Sequence, residues 1–300
     1  MAEKKKKRAS RFGKTRLLVQ CAAACLCNGY LKGFLRGKIY TGPLKTLCVP
    51  GMNCYSCPGA LGACPMGSLQ SALSAHQYKT VLYVFGMLTL FGTLFGRMIC
   101  GFLCPFGLIQ DLLHRIPFVK KLRRLPGERW LRAVKFVLLG VFVLILPLFA
   151  VDAFGQGSPW FCKYICPVGT LEAGIPLVSL NSALQMAVGW LYTWKLVILA
   201  VIIVLSLLLY RPFCRYICPL GAVYGLFNKF ALYRYHIDEL SCIECGACER
   251  ACPMEISVFK NPNSIDCVRC GACIDACPTG AIKSRFLTPK LSQKTYSDRK

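Results

Sequence analysis

Cys242-Ile-Glu-Cys245-Gly-Ala-Cys248-Glu-Arg-Ala-Cys252-Pro253 is followed, after a short spacer, by Cys267-Val-Arg-Cys270-Gly-Ala-Cys273-Ile-Asp-Ala-Cys277-Pro278. Each is a complete C-x2-C-x2-C-x3-C-P run. Three closely spaced thiolates wrap three irons of a cubane, and the fourth, leading into proline, is aimed at the partner cubane. The spacing assigns Cys242, Cys245, Cys248 and Cys277 to one [4Fe–4S] cluster. It assigns Cys252, Cys267, Cys270 and Cys273 to a second. Gly246, Ala247, Gly271 and Ala272 leave room for backbone N–H groups to donate to sulfur. Structural zinc sites show paired C-x2-C knuckles without the third cysteine and the proline, so zinc is the weaker account.

Upstream of these runs the chain changes character. Over its 300 residues 55% are hydrophobic and only 17% charged, too apolar for an ordinary soluble protein. The apolar residues fall in blocks at about 17–35, 80–98, 133–151 and 190–210, each near the roughly 20 residues that cross a hydrocarbon core. The first block is interrupted by Asn28, Gly29, Lys32 and Gly33 and is the weakest; Pro147 is a candidate kink in the third. Lys135 and Lys195 sit near span ends, where a long side chain can snorkel to water.

The net charge of +24 flanks the apolar blocks, so it describes topology rather than nucleic-acid binding. Residues 1–16 hold eight Lys or Arg, 97–135 hold nine, 37–78 two and 152–190 one. With the basic segments in the cytoplasm, the N-terminus, 97–135 and 212–300 are inside and 37–78 and 152–190 outside. That pattern needs all four spans. The expected domains are a basic cytoplasmic N-terminus (1–16), a four-span membrane domain (17–232), the two-cluster domain (233–283) and a basic tail (284–300). The expected location is the cytoplasmic (inner) membrane.

Within the membrane domain the string Cys-Pro-x-Gly recurs at Cys64, Cys104, Cys166 and Cys218, and the last three have a partner cysteine four residues earlier, at Cys100, Cys162 and Cys214. The chain reads as two tandem units, about 16–116 and 130–230, which pack about an axis along the membrane normal. Cys100, Cys104, Cys214 and Cys218 then meet on the inner side, the number of thiolates a cubane needs. Arg97, Arg211 and Arg215 are close enough in sequence to offset its negative charge. On the outer side Cys57, Cys64, Cys162 and Cys166 form the first-choice set, with Cys54 as substitute for Cys57 or Cys64. An outer cluster and outer disulfides stand as alternatives there. Cys21 and Cys25, one helical turn apart, and Cys27 read as packing residues. Phe106–Leu113 and Gly221–Leu232 read as interfacial helices.

The three histidines, His76, His114 and His236, lie outside the apolar blocks, and no C-x-x-C-H string is present. Membrane bis-histidine haem and attached c-type haem are therefore disfavoured. No nucleophile–base constellation or phosphate loop stands out among only 13 acidic residues. The chain reads as an electron carrier or oxidoreductase subunit rather than a stand-alone catalyst.

The C-x3-C-P motifs after membrane spans, joined to the C-terminal cysteine runs, resemble the membrane polyferredoxin family. Its members include the ferredoxin-type membrane subunits of periplasmic nitrate reductase and nitrous-oxide reductase systems. The string Pro50-Gly51-Met52-Asn53-Cys54-Tyr55-Ser56-Cys57-Pro58 resembles one branch of such proteins more closely still. The resemblance implies an α-helical membrane protein of about four transmembrane helices in two tandem repeats, with a C-terminal α+β two-cluster bacterial ferredoxin domain. It also implies passage of electrons between a cytoplasmic donor (a ferredoxin or similar protein) or a quinol pool and an extracytoplasmic acceptor. A quinol-oxidising subunit, and a redox sensor or cluster-assembly factor without turnover, are the rival roles.

Overall fold

The computed structural model describes residues 2–117, 121–150 and 157–286, with side chains from residue 13 onward. Among the described residues three helices are long and apolar enough to cross a membrane: α3 (Tyr78–Phe95), α5 (Glu128–Phe149) and α6 (Trp190–Leu208). Their outer faces carry exposed Leu82, Phe85, Leu90, Val197, Val201 and Val204, as lipid-facing helices do. Exposed Tyr78, Trp130 and Trp190 stand at their ends, where amphipathic rings settle at headgroup level. The expected kink at Pro147 coincides with a wide π-type stretch at Leu138–Ile145 just before it. A proline lacks the N–H that would continue the regular ladder.

The first block behaves differently. α1 (Ala2–Cys27) is one 26-residue helix, but its apolar part is short, and Asn28 and Gly29 end it before a six-residue helix at Leu31–Arg36. Arg16 and Gln20 of α1 both bind Asp111, and Arg16 also donates to Tyr210 Oη at 2.9 Å. At the other end, Leu61 N donates to Cys27 O at 2.9 Å and Tyr30 N to Gly59 O at 3.1 Å. α1 thus links the Cys100 and Cys57 loops along its flank. Cys21 and Cys25 are exposed.

Among the shorter helices that follow cysteines are α2 (Pro65–Ser74), α4 (Pro105–Arg115) and α7 (Pro219–Phe227), each with proline in its first turn. Proline suits that turn because its missing N–H would have no helical partner there. α7 buries Pro219, Leu220, Gly221, Ala222, Tyr224 and Gly225, and α4 buries Phe106, Gly107, Leu108, Gln110 and Asp111. These are therefore internal helices rather than the interfacial ones expected, because their polar and small residues face other cysteine loops instead of water.

The C-terminal domain is closed by β1 (Tyr233–Ile237) and β2 (Ile282–Phe286), paired antiparallel with Tyr233 opposite Phe286 and Ile237 opposite Ile282. It is held against the membrane domain by Asp266. That carboxylate receives Arg97 Nη1 at 3.1 Å, Arg132 Nη1 at 2.7 Å and the Lys135 ammonium. Lys135 is buried, so it does not snorkel as expected: the carboxylate on the docked domain offers a stronger partner than distant water. Asn228 Nδ2 donates to Ser264 O at 2.9 Å and Cys267 O at 2.8 Å. Backbones also touch: a Cβ on Gly101 would lie 2.4 Å from Val268 O, and one on Gly225 2.8 Å from Ile265 O. The expected tail falls largely outside the described residues.

Burial works against the charged form of Asp266, yet Arg97 and Lys135 together hold its carboxyl well below the usual range. A depressed acid contributes its stability above its unfolded pKa, about 3.9, and loses it only as pH falls through the lower folded value. The Asp266 contribution to docking should therefore be independent of pH between about 5 and 7, a window that lies wholly above that carboxyl's titration. Asp266→Asn leaves buried Arg97 and Lys135 without a counter-charge and should destabilise the docked state by about 3–5 kcal/mol. Faster limited proteolysis between the domains and a lower unfolding temperature are the readouts.

Candidate iron–sulfur centres

The recurrent Cys-Pro-x-Gly has one geometric meaning. Cys64, Cys104, Cys166 and Cys218 each occupy the residue that caps the following helix, with proline next. A side chain in that position accepts from backbone N–H groups the first turn leaves unpaired. Gly221 N donates to Cys218 Sγ at 3.3 Å. The amides of Gly67, Gly107 and Gly169 favour the thiolate forms of Cys64, Cys104 and Cys166, but none of these three cysteines closes a cap hydrogen bond as Cys218 does. Glycine also clears space for what crosses over: a Cβ on Gly107 would lie 3.2 Å from Arg211 Nη2, and one on Gly221 3.0 Å from Arg97 Nη2.

On one side, Cys100, Cys104, Cys214 and Cys218 are all buried, and their charges reach one another. Arg97 donates to Cys214 O, and Arg211 donates to Cys100 O. Each arginine stands three residues before its own cysteine and grips the carbonyl of the other one. Arg211 is held in turn by Asp111, through bonds of 2.7 and 2.6 Å, and Asp111 is thereby kept at a pKa of about 2 although burial opposes its ionisation. Arg97 and Arg211 offset thiolate charge at Cys100 as expected. Arg215 instead pairs with Glu128.

On the other side the cysteines that come together are Cys54, Cys64, Cys162 and Cys166. Cys57 is turned away: its sulfur lies 3.6 Å from Asn28 Oδ1. The structure therefore brings in Cys54, the expected substitute, where Cys57 was the first choice, because the turn from Cys54 to Cys57 (Cys57 N to Cys54 O, 3.1 Å) sends the two side chains apart. Lys195 Nζ donates to Cys162 O at 3.2 Å, so it too serves a cysteine loop rather than reaching for water. No two of the 21 cysteines are joined as a disulfide.

A set of residues escaped the sequence reading. The sixth residue after each Cys-Pro-x-Gly cysteine is polar: Gln70, Gln110, Glu172 and Tyr224. Gln70 Nε2 donates to Cys162 Sγ at 3.3 Å, and its Oε1 accepts from Phe161 N at 3.0 Å. Gln110 does the same to Cys214 Sγ at 3.2 Å and Phe213 N at 3.2 Å. Glu172 Oε2 accepts from Cys54 N at 2.7 Å. Each helix therefore carries a side chain to the opposite half's cysteine loop. Reading the repeat to seven residues rather than four would have found them.

In the C-terminal domain one cavity is lined by Cys252, Cys267, Cys270 and Cys273 with Tyr235, Met254, Ile256 and Val258. Another is lined by Cys242, Cys245, Cys248 and Cys277 with Ile237 and Ile282. Each cavity is lined by three cysteines of one run and the last cysteine of the other. Val268, next to Cys267, packs on Gly101, next to Cys100, so the first of these cavities adjoins the Cys100 group.

Among the described residues no three His, Cys, Asp or Glu converge as ligands of a single ion would. A cubane asks for a different arrangement, with each thiolate on its own iron around a cage. The four groups fit that requirement in donor chemistry and in backbone N–H groups aimed at sulfur. Burial pushes the thiols of Cys64 and Cys267 up to about 12 and that of Cys100 to about 11. Only a bound cation makes thiolates the stable form in such surroundings.

A family profile described as 4Fe-4S binding domain matches residues 80–126, 136–175 and 192–234. A second profile with the same description matches 235–256 and 263–283. An uncharacterized protein of Methanocaldococcus jannaschii is 31% identical over 62% of this chain and 69% of its own length. An Escherichia coli protein named for electron transport is 27% identical over 65% of this chain and 50% of its own. The methylamine utilization ferredoxin-type protein MauN of Paracoccus denitrificans is 30% identical over 53% of this chain and 48% of its own. The chain spans about half the length of several of the curated relatives it matches. No solved structure matches it.

Cys54→Ala in anaerobically purified protein should lower bound iron by about four atoms per chain, one cubane's worth. Cys57→Ala should leave the iron content unchanged. The reverse pattern would restore Cys57 to the outer group.

Proposed function

The chain belongs to the family of ferredoxin-type, 4Fe–4S-binding membrane proteins, and from that membership we propose that it carries electrons between a cytoplasmic donor and an extracytoplasmic acceptor. When bound, the clusters take up and release single electrons. The protein's part is to hold them in line, exclude water and set their potentials. Two clusters belong to Cys242/Cys245/Cys248/Cys277 and Cys252/Cys267/Cys270/Cys273. A third belongs to Cys100/Cys104/Cys214/Cys218, and a fourth to Cys54/Cys64/Cys162/Cys166.

The observation that carries this reading is the succession of the four groups. The Cys252 cavity adjoins the Cys100 loop through Val268 and Gly101, and the Cys104 loop in turn touches the segment before Cys54. The two tandem units are supported by the reciprocal arginines and the matched glutamines. α1 is read as a fourth pass, with both termini in the cytoplasm of a cell bounded by an inner membrane. Support comes from its contacts, at Arg16 to the Cys100 side and at Cys27 to the Cys57 side, and from the basic residues that flank it.

Protein reconstituted in vesicles and reduced from the face bearing the C-terminal domain should hold about sixteen irons per chain, four per cubane. It should pass electrons to an acceptor sealed on the other face. About eight irons would confine the chemistry to the C-terminal domain and sink the proposal. Reduction only by added quinol would replace the cytoplasmic donor with a quinol-oxidising role. In the same preparation Gln110→Leu should retain iron. It should lower one midpoint potential by about 40 mV, the equivalent of losing about 1 kcal/mol of hydrogen bonding that favours the reduced, more negative state.

A further inference from the structure

Pro50-Gly51-Met52-Asn53 runs between the Cys100/Cys104 group and the Cys54/Cys64 group. Gly51 lies directly against the inner loop: a Cβ there would stand 3.1 Å from both Cys104 Cα and Leu103 O. A side chain there would force the loop to give by a few tenths of an ångström, so glycine suits the approach. Met52 is 3% exposed. Its Sδ is 3.8 Å from Cys64 Sγ, while its amide N–H is directed to the Cys104 sulfur. The next amide, that of fully buried Asn53, is directed to the Cys64 sulfur. Tyr224 Oη fastens the start of the segment by donating to Pro50 O at 3.0 Å. Asn53 Nδ2 reaches Cys27 O at 3.4 Å.

Two consecutive amides therefore address one sulfur of each group. The backbone from Gly51 to Asn53 thus joins the two groups, with Gly51 against Cys104 and the Met52 thioether against Cys64 Sγ. Electron tunnelling weakens steeply with distance, and a covalent and hydrogen-bonded path carries it better than an open gap. Methionine is also a common filler of irregular gaps, but a filler has no reason to aim its own amide and its neighbour's at opposite ligands.

We propose that Gly51, Met52 and Asn53 form the electronic bridge between the inner and outer cysteine groups, with Met52 as its centre. The inference rests on the electron-carrying role proposed above. One electron leaves the group held by Cys104, which is oxidised, and enters the group held by Cys64, which is reduced. Met52 keeps its valence, and no bond is made or broken.

The test uses the full chain, purified anaerobically and placed in nanodiscs, with Gly51→Ala and Met52→Leu as variants and Met87→Leu, in α3, as control. Iron content and paramagnetic resonance of the fully reduced protein are recorded first, then the rate at which the outer centre is reduced after rapid mixing with a reductant. Gly51→Ala should keep its iron, weaken the magnetic interaction between the two membrane centres and slow outer reduction several-fold. Met52→Leu should do so to a lesser degree, and Met87→Leu should match the wild type. Full iron with wild-type interaction and rate in Gly51→Ala overturns the bridge. If Gly51→Ala fails to assemble, Met52→Leu decides, and a wild-type rate or a loss of iron there also overturns it. Should the wild-type outer centre never be reduced through the inner one, the electron-carrying role fails. The magnetic interaction, which needs no turnover, still reports on the bridge.

Discussion

Gathering four thiolates in a water-poor interior is the constraint on which the membrane domain is built. Burial opposes ionised sulfur, and a cluster with four such ligands stays anionic. The answer here is a pair of crossed arginines. Arg97 leaves the first half to hold the Cys214 loop, and Arg211 leaves the second to hold the Cys100 loop. Each brings positive charge to the far half's cysteine and ties down its backbone in the same contact. Asp111 then balances Arg211, and Asp266 balances Arg97. No buried cation in this set is left without a carboxylate, which is the condition for such networks to be tolerated.

The second of those balances ties the soluble part of the chain to the membrane part. Asp266 immediately precedes Cys267, so the carboxylate that neutralises Arg97, Arg132 and Lys135 also fixes the loop that lines one C-terminal cavity. Asn228 reads the carbonyl of Cys267 itself. Docking and ligand placement are consequently one structural event.

Much of this was legible in the residues. The C-x2-C-x2-C-x3-C-P runs gave the exchange of the fourth cysteine, because the proline and the fixed spacing leave the chain little freedom. The Cys-Pro-x-Gly repeat gave the pairing of Cys100 and Cys104 with Cys214 and Cys218 for the same reason. What escaped were features decided by side-chain direction. Cys54 and Cys57 are three residues apart in an irregular turn without a period, so nothing in their spacing says which one faces Cys162. Lys135 looked like a snorkelling residue because its partner, Asp266, is far along the chain. Gln70 and Gln110 are ordinary residues on amphipathic helices until the opposite half is set beside them.

The same crossing has a consequence for how the molecule comes into being. Neither half owns a complete set of ligands: residues 100–104 and 214–218 each bring two cysteines to one group, and residues 54–64 and 162–166 each bring two to the other. A nascent chain halted after its first half would display half-sites with no mate. On the assignment proposed above, iron would be captured in the membrane only after the last span has been inserted and folded back. Metal loading would then act as a proofreading step on biogenesis, passed only by chains whose two halves have come together.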